Sequence, residues 1–103
     1  MIIVTTDNIQ GKEIKEVIGL TKGSTVRCKN VGRDIMASFK NLVGGELEGY
    51  NEMLTDARQI AIGRMVDEAE SKGANAIVGF RLMSSAVAQG AAEMVAYGTA
   101  VIV

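Results

Sequence analysis

The stretch "LEGYNEMLTDARQIAIGRMVDEAESK", residues 47–72, decides the fold of this chain. Apolar residues recur in it at spacings of three and four, the period of one helix face. They are Leu47, Tyr50, Leu54, Ala57, Ala61, Met65 and Ala69. Gly73 follows directly as a C-terminal signal. The pattern predicts a single helix of about seven turns, long enough to run the length of a small domain.

A second, shorter helix is predicted before it, in "NVGRDIMASFKNLVGG", residues 30–45. Its apolar residues are Ile35, Met36, Phe39, Leu42 and Val43, with Asn30 as the N-cap and a glycine pair as the stop. These glycines do not form a phosphate-binding loop, because they follow a helix, lack a neighbouring lysine and precede Glu46 and Glu48. We interpret the segment as the junction between two helices.

The chain before these helices has strand character. Residues 2–5 are rich in β-forming side chains, and residues 13–29 alternate between apolar and polar positions. The apolar positions are even-numbered, so we expect them to face the core and the odd positions to face water. They are Ile14, Ile18, Leu20, Val26 and Cys28. Lys22-Gly23-Ser24 interrupts the alternation and predicts a bulge or a tight bend.

After the long helix, residues 75–83 and 93–103 predict two further strands, whereas residues 84–92 are too rich in Ser, Ala and Gly to assign. No linker, repeat or low-complexity tract interrupts the chain, so we expect one domain over residues 1–103 with both helices and strands.

Charge and composition exclude several classes of partner. Eleven basic and twelve acidic residues give a net charge of −1 without a run of one sign, which does not favour nucleic acid or an anionic membrane. No segment approaches the ~18 apolar residues of a membrane span, and the start lacks a signal-peptide pattern. One cysteine fits a reducing compartment. We therefore expect a cytoplasmic protein.

A series of motifs resembles the YbjQ-like family of small bacterial and archaeal proteins, whose label is heavy-metal binding. The motifs are Ile18-Gly19-Leu20, Arg33-Asp34, Leu42-Val43-Gly44-Gly45, Tyr50, Ala57-Arg58, "GANAIVGF" at 73–80 and "YGTAV" at 97–101. The resemblance implies an α+β subunit of two layers, β-α-β-β, with an antiparallel sheet and one long helix, related to the dodecin subunit. It also implies assembly into rings of five.

The same resemblance implies a small-ligand or metal-binding module without a particular activity. The alternative is a structural or interaction component whose oligomer is the functional object. Two positions depart from the family pattern. Many members have an arginine where this chain has Glu46, and an acidic pair where it has Leu82-Met83-Ser84.

The ligand inventory excludes a Cys/His metal site within one subunit, because the chain has one cysteine and no histidine. Symmetry could gather five copies of Cys28 around a ring axis, but we interpret Cys28 as a small buried hydrophobe. Glu48, Glu52 and Asp56 share one side of the long helix, and we interpret them as solvated surface rather than ligands for a hard cation.

Catalysis is not expected, because no histidine can serve as a base and no serine stands out as a nucleophile. The residues that stand out are Arg33, Asp34 and Arg58. Arg58 lies within the apolar arc of the long helix, so its guanidinium needs an acceptor. We expect an ion pair, with Asp34 as the first-named partner, in preference to a ligand clamp.

The C-terminal strand predicts self-association. Both alternating sets of its side chains are apolar, and from Ala74 to Val103 the only charged residues are Arg81 and Glu93. A strand that is apolar on both faces is covered on both. The helices cover one face, and we expect nothing else in the chain to cover the other. The sequence therefore predicts a homo-oligomer with this region in the contact.

Overall fold

The computed structural model describes residues 1–28, 48–88 and 90–103, with side chains from residue 51 onward in the helix. The fold is α+β, with four strands and one long helix in the order ββαββ. The elements are β1 (Ile2–Ile3), β2 (Glu16–Cys28), α1 (Glu48–Ser71), β3 (Ala76–Ala88) and β4 (Ala91–Ile102). The shorter helix predicted between Asn30 and Val43 lies outside the described residues.

The sheet has the strand order β1-β3-β4-β2. Its three long strands pair antiparallel, as the α+β prediction requires, and the short β1 adds a parallel pairing to the start of β3. Helix α1 packs on one face of this sheet, mainly over β2 and β4. This is the predicted two-layer arrangement, with β1 as an extra edge strand.

The long helix ends within one residue of the predicted bounds at each end. Its buried stripe consists of Met53, Ala57, Ala61, Met65 and Ala69, one residue in every four. These side chains pack with Met94, Ala96 and Ala100 of β4 in the main core cluster. Because most of the stripe is alanine, the helix axis lies close to the sheet, and the core gains area from close approach rather than from large side chains.

Strand β2 presents the opposite face from the one its sequence predicted. Thr21, Gly23 and Thr25 are buried, whereas Leu20 is 59% exposed and Val26 is 54% exposed. The reason is a bulge between Val17 and Gly19, which moves every later side chain to the other face. The bulge predicted at residues 22–24 was therefore wrong, since that segment is regular strand.

Strand β3 continues through residues 84–88, which the sequence left unassigned. On the sheet face opposite the helix, Ala76, Val78 and Val101 form a second cluster. Val4, Ile9 and Ile14 pack against it. The expectation that nothing else in the chain covers this face was thus wrong at one end, because the N-terminal residues lie over it.

Across the described parts of the chain, no helix combines the length and apolar character that a membrane crossing needs.

Candidate functional site

Helix α1 meets strand β2 backbone to backbone at Thr21 and Gly23. The buried Thr21 hydroxyl donates to the carbonyl oxygen of Met65 at 2.8 Å. A Cβ atom at Gly23 would overlap with the Ala61 carbonyl oxygen and the Met65 nitrogen, and would lie 2.7 Å from Arg64 Cβ. Only glycine fits at this contact, so this pair of positions sets the distance between helix and sheet.

Three side chains at four-residue intervals, two on α1 and one directly after it, bind the outer edge of β2. An edge strand otherwise leaves its outward N–H and C=O groups unpaired. Here three of the outward groups from Leu20 to Ser24 have a side-chain partner. The hydrogen bonds run from Arg64 Nη1 to Ser24 O (2.7 Å), from Lys22 N to Glu68 Oε2 (3.2 Å) and from Lys72 Nζ to Leu20 O (3.3 Å). We call these three side chains the edge clamp.

Glu68 is the central residue of the edge clamp. Its Oε1 accepts a hydrogen bond from Lys72 Nζ at 3.0 Å, which is also an ion pair one helical turn apart. The hydrogen bond from the Lys72 side chain, followed by the one from the Lys22 backbone amide, lowers the pKa of Glu68 below its ordinary value. The carboxylate is therefore held in its charged, hydrogen-bonding form.

An open groove of about 450 Å³ borders the edge clamp. Its polar lining comes from Lys22, Ser24, Arg64, Glu68 and Glu93. The groove carries both signs of charge and therefore does not select an anion or a cation. This cluster was not predicted from the sequence. The available signal was the four-residue spacing of Arg64, Glu68 and Lys72, which places them on one side of the predicted helix.

Of the predicted site residues, the structure describes Arg58. Its side chain is half-buried, and Nη2 donates to Thr55 Oγ1 at 3.1 Å, one turn earlier on α1. Arg33 and Asp34 lie outside the described residues. The ion pair between Arg58 and Asp34 therefore stays a prediction.

The carboxylates proposed as solvated surface are exposed where the structure describes them. Glu52 and Asp56 line, with Asn51 and Thr55, an open depression of about 450 Å³ at the start of α1. Among the described residues, no three His, Cys, Asp or Glu side chains converge as metal ligands would. These positions have the character of a solvated helix face.

The exposure of Cys28 differs from what its sequence position predicted. The prediction of a buried hydrophobe was wrong, because the thiol is exposed at the end of β2, opposite Ala91. The cause is the bulge near the start of β2, which turns Cys28 away from the helix together with Leu20 and Val26. The thiol is accessible in a single subunit.

Among the described residues, the sheet face opposite the helix carries exposed apolar side chains, with Lys22, Ser24, Arg81 and Glu93 on the same face. Val26 and Met83 are 54% and 56% exposed, and Leu20 is 59% exposed. Val95 and Tyr97 of β4 lie between them and are half-buried. We call these five residues the open face. Large side chains left exposed together on one sheet face are candidates for an interface.

Comparison with known proteins shows the family to which this chain belongs. The family model described as "Putative heavy-metal-binding", the YbjQ family, matches residues 1–103. The chain belongs to this family. The family resemblance seen in the sequence is thus confirmed.

Relatives in the YbjQ family are similar over nearly their whole length. A "UPF0145 protein" of Clostridium perfringens is 76% identical, covering 99% of this chain and 96% of its own. Proteins of the same name from Clostridioides difficile and Thermotoga maritima are 71% and 55% identical. They cover 99% and 98% of this chain, and 91% and 95% of their own lengths.

Among solved structures, the chain is similar in fold to a crystal structure of a protein of unknown function from Pediococcus pentosaceus, of the DUF74 family. The TM-score is 0.55 at 18% identity, with 100% of this chain and 97% of the other covered. At this identity the similarity concerns the fold alone.

Proposed function

We propose that this YbjQ-family chain is the subunit of a homo-oligomer in which a neighbouring copy covers the open face. The observation that carries the proposal is the exposure of Leu20, Val26 and Met83 on one face of the sheet. Leaving such side chains in water forfeits about 1.5–3 kcal/mol for each one that a partner could fully bury. A domain of this length buries only about two-thirds of the surface that its unfolded chain exposes, so burial against a partner adds to its stability.

The number of subunits and the cellular place come from the family resemblance and the composition. We propose a ring of five, located in the cytoplasm, built from single-domain subunits of residues 1–103. A closed ring uses head-to-tail contacts, so each subunit would give one surface and receive a different one.

We propose that the assembly is a small-ligand or metal-binding module. Its ligand would be held between subunits. Cys28 is exposed, and symmetry can bring copies of it together. Within the described parts of one subunit no three potential metal ligands converge. The alternative is a structural or interaction component that has no ligand chemistry of its own. Enzymatic activity is not part of either proposal.

Native mass spectrometry of protein purified without added metal tests both parts of the proposal, since it reports subunit number and bound ligand together. The informative variant is Val26→Lys, which places a charge on the open face. The matched control is Gln59→Lys, because Gln59 is exposed on α1, which packs on the other face of the sheet.

We expect the parent and Gln59→Lys to give one oligomer and Val26→Lys to dissociate, because a buried unpaired ammonium is costly. A monomeric parent would contradict the proposal. Retention of the oligomer in Val26→Lys would remove the open face from the contact.

A further inference from the structure

The two long edges of the sheet are treated differently. On β2, the edge clamp occupies three of the outward backbone groups from Leu20 to Ser24. On the other edge, the N-terminal residues cover only the first part of β3. Val4 N donates to Ile77 O at 2.9 Å, Gly79 N donates to Thr6 O at 2.8 Å, and Phe80 N donates to Val4 O at 3.0 Å.

Beyond Arg81, the outer edge of β3 has no hydrogen-bond partner among the described residues. Alternate residues of an antiparallel strand bond to the neighbouring strand, and those between point outward. The amide of Lys22 points outward from β2, so its β4 partner Tyr97 bonds to β3, where it lies opposite Arg81. Met83 and Ser85, two and four residues after Arg81, therefore bond inward to β4. The outward groups are therefore those of Leu82, Ser84 and Ala86.

The sequence of this edge lacks the features that normally block strand addition. Residues 82–88, "LMSSAVA", contain no charge and no proline. All of them are exposed, with Leu82 at 37%, Met83 at 56% and Val87 at 52%. Among the described residues, the edge is thus a strand with unpaired backbone groups and mostly apolar side chains, the combination that templates pairing with another chain.

We propose that residues 82–88 pair, backbone to backbone, with a strand of a second copy of this chain. The inference rests on the proposed homo-oligomer and names the surface that forms its contact. Met83 belongs to both this edge and the open face, so a copy that pairs with this edge would lie beside the open face. From Leu82 to Ala92 no residue is charged, which fits an equally uncharged strand rather than an acidic or basic partner.

The edge clamp limits which strand of the second copy can pair with residues 82–88. It occupies the outer edge of β2 between Leu20 and Ser24, so this part of a neighbour's β2 is not the pairing strand. Pairing two β3 edges would give a two-fold contact, whereas pairing β3 with another segment of the neighbour would give a head-to-tail contact and allow a ring.

The test replaces Ser84, whose amide points outward. Ser84→Pro removes that one donor, and proline is tolerated at an edge position whose N–H faces away from the sheet. Ser84→Thr is the matched control, because it keeps the amide and the strand propensity. A second variant, Leu82→Lys, places a charge at the edge without changing the backbone. Each is compared with the parent by light scattering, with far-UV circular dichroism to establish folding.

We expect Ser84→Pro and Leu82→Lys to raise the subunit dissociation constant at least about tenfold, as losing one backbone hydrogen bond at a desolvated contact would. Ser84→Thr should match the parent. If the proline variant does not fold, the lysine variant decides the question.

The inference is overturned if the folded variants keep the parent's oligomer and dissociation constant. In that case the oligomer stands and its contact lies elsewhere. A monomeric parent overturns the homo-oligomer itself, and with it this inference, leaving the edge to another part of the same chain or to a different protein.

Discussion

The guanidinium of Arg64 donates a 2.7 Å hydrogen bond to the carbonyl oxygen of Ser24, across a sequence separation of 40 residues. This contact ties the middle of the long helix to the outer edge of β2. Together with Glu68 and Lys72 it gives the strand's outward groups intramolecular partners. Part of one edge of the sheet is therefore occupied within the subunit, and the self-association that we propose falls on the other edge.

Gly23→Ala should destabilise the protein by about 1–3 kcal/mol, the usual cost of overpacking. The added Cβ would meet backbone atoms of Ala61 and Met65, which cannot rotate away. Gly63→Ala is the matched control, because a Cβ there has no atom within 4 Å. Alanine inside a helix should stabilise the control by about 0.5–1 kcal/mol.

Urea unfolding at one fixed subunit concentration measures both glycine variants. Equal stability of Gly23→Ala and the parent would mean that the helix does not lie on the strand at this distance.

The contribution of Glu68 to stability should depend on pH. Its pKa in the folded protein is lowered from 4.5 by hydrogen bonds from Lys72 and from the Lys22 amide. The stabilisation is therefore fully present above the unfolded value and is lost as the pH falls through the folded value. Glu68→Gln removes this titration.

The free-energy difference between the parent and Glu68→Gln should be constant near neutral pH and shrink in acid, as measured by urea unfolding at each pH. A difference that grows on acidification would show that the carboxylate is not held by these donors.

Arg58 should be coupled to Asp34. A double-mutant cycle with Arg58→Ala and Asp34→Ala should give a coupling energy of about 0.5–3 kcal/mol if the two residues form the predicted ion pair. Thr55→Ala tests the contact that the structure does show, between Arg58 Nη2 and the Thr55 hydroxyl. Additive effects of the two changes would assign Arg58 to another partner, including a ligand.

Zinc or copper should find no site of sub-micromolar affinity confined to one subunit. The chain has a single cysteine and no histidine, so one subunit lacks the ligand set that these metals require. Calorimetric titration of metal-free protein at neutral pH measures this. A site of one metal per subunit that survives Cys28→Ser would contradict the prediction. A shared site of fewer metals, abolished by Cys28→Ser, would support binding between subunits.

The sequence predicted the positions of the helix and strands more accurately than it predicted which side of each strand faces the core. The four-residue spacing of Ala57, Ala61, Met65 and Ala69 specified the long helix, because a single periodic face is a local signal. Strand β2 was placed correctly but with its faces exchanged. The bulge near Gly19 adds one residue, and no local composition signal distinguished it from the interruption at Gly23.

The candidate site could be predicted only in part. Cys28 was judged from the alternation of β2, so it inherited the error caused by the bulge. The edge clamp depends on side chains that reach backbone groups far away in sequence, and spacing alone does not identify such acceptors. The strand character of residues 84–88 was hidden by low β-propensity and came from pairing with β4.

The central claim is that a second copy of the chain covers the apolar sheet surface that one subunit leaves open. Light scattering on a size-exclusion column, over a range of micromolar subunit concentrations, tests it most directly. We predict a single species at a multiple of the 10.9 kDa subunit mass, with five as the multiple that the family resemblance implies. A stable oligomer of another order would change only that number. A well-behaved monomer at micromolar concentration would contradict the claim.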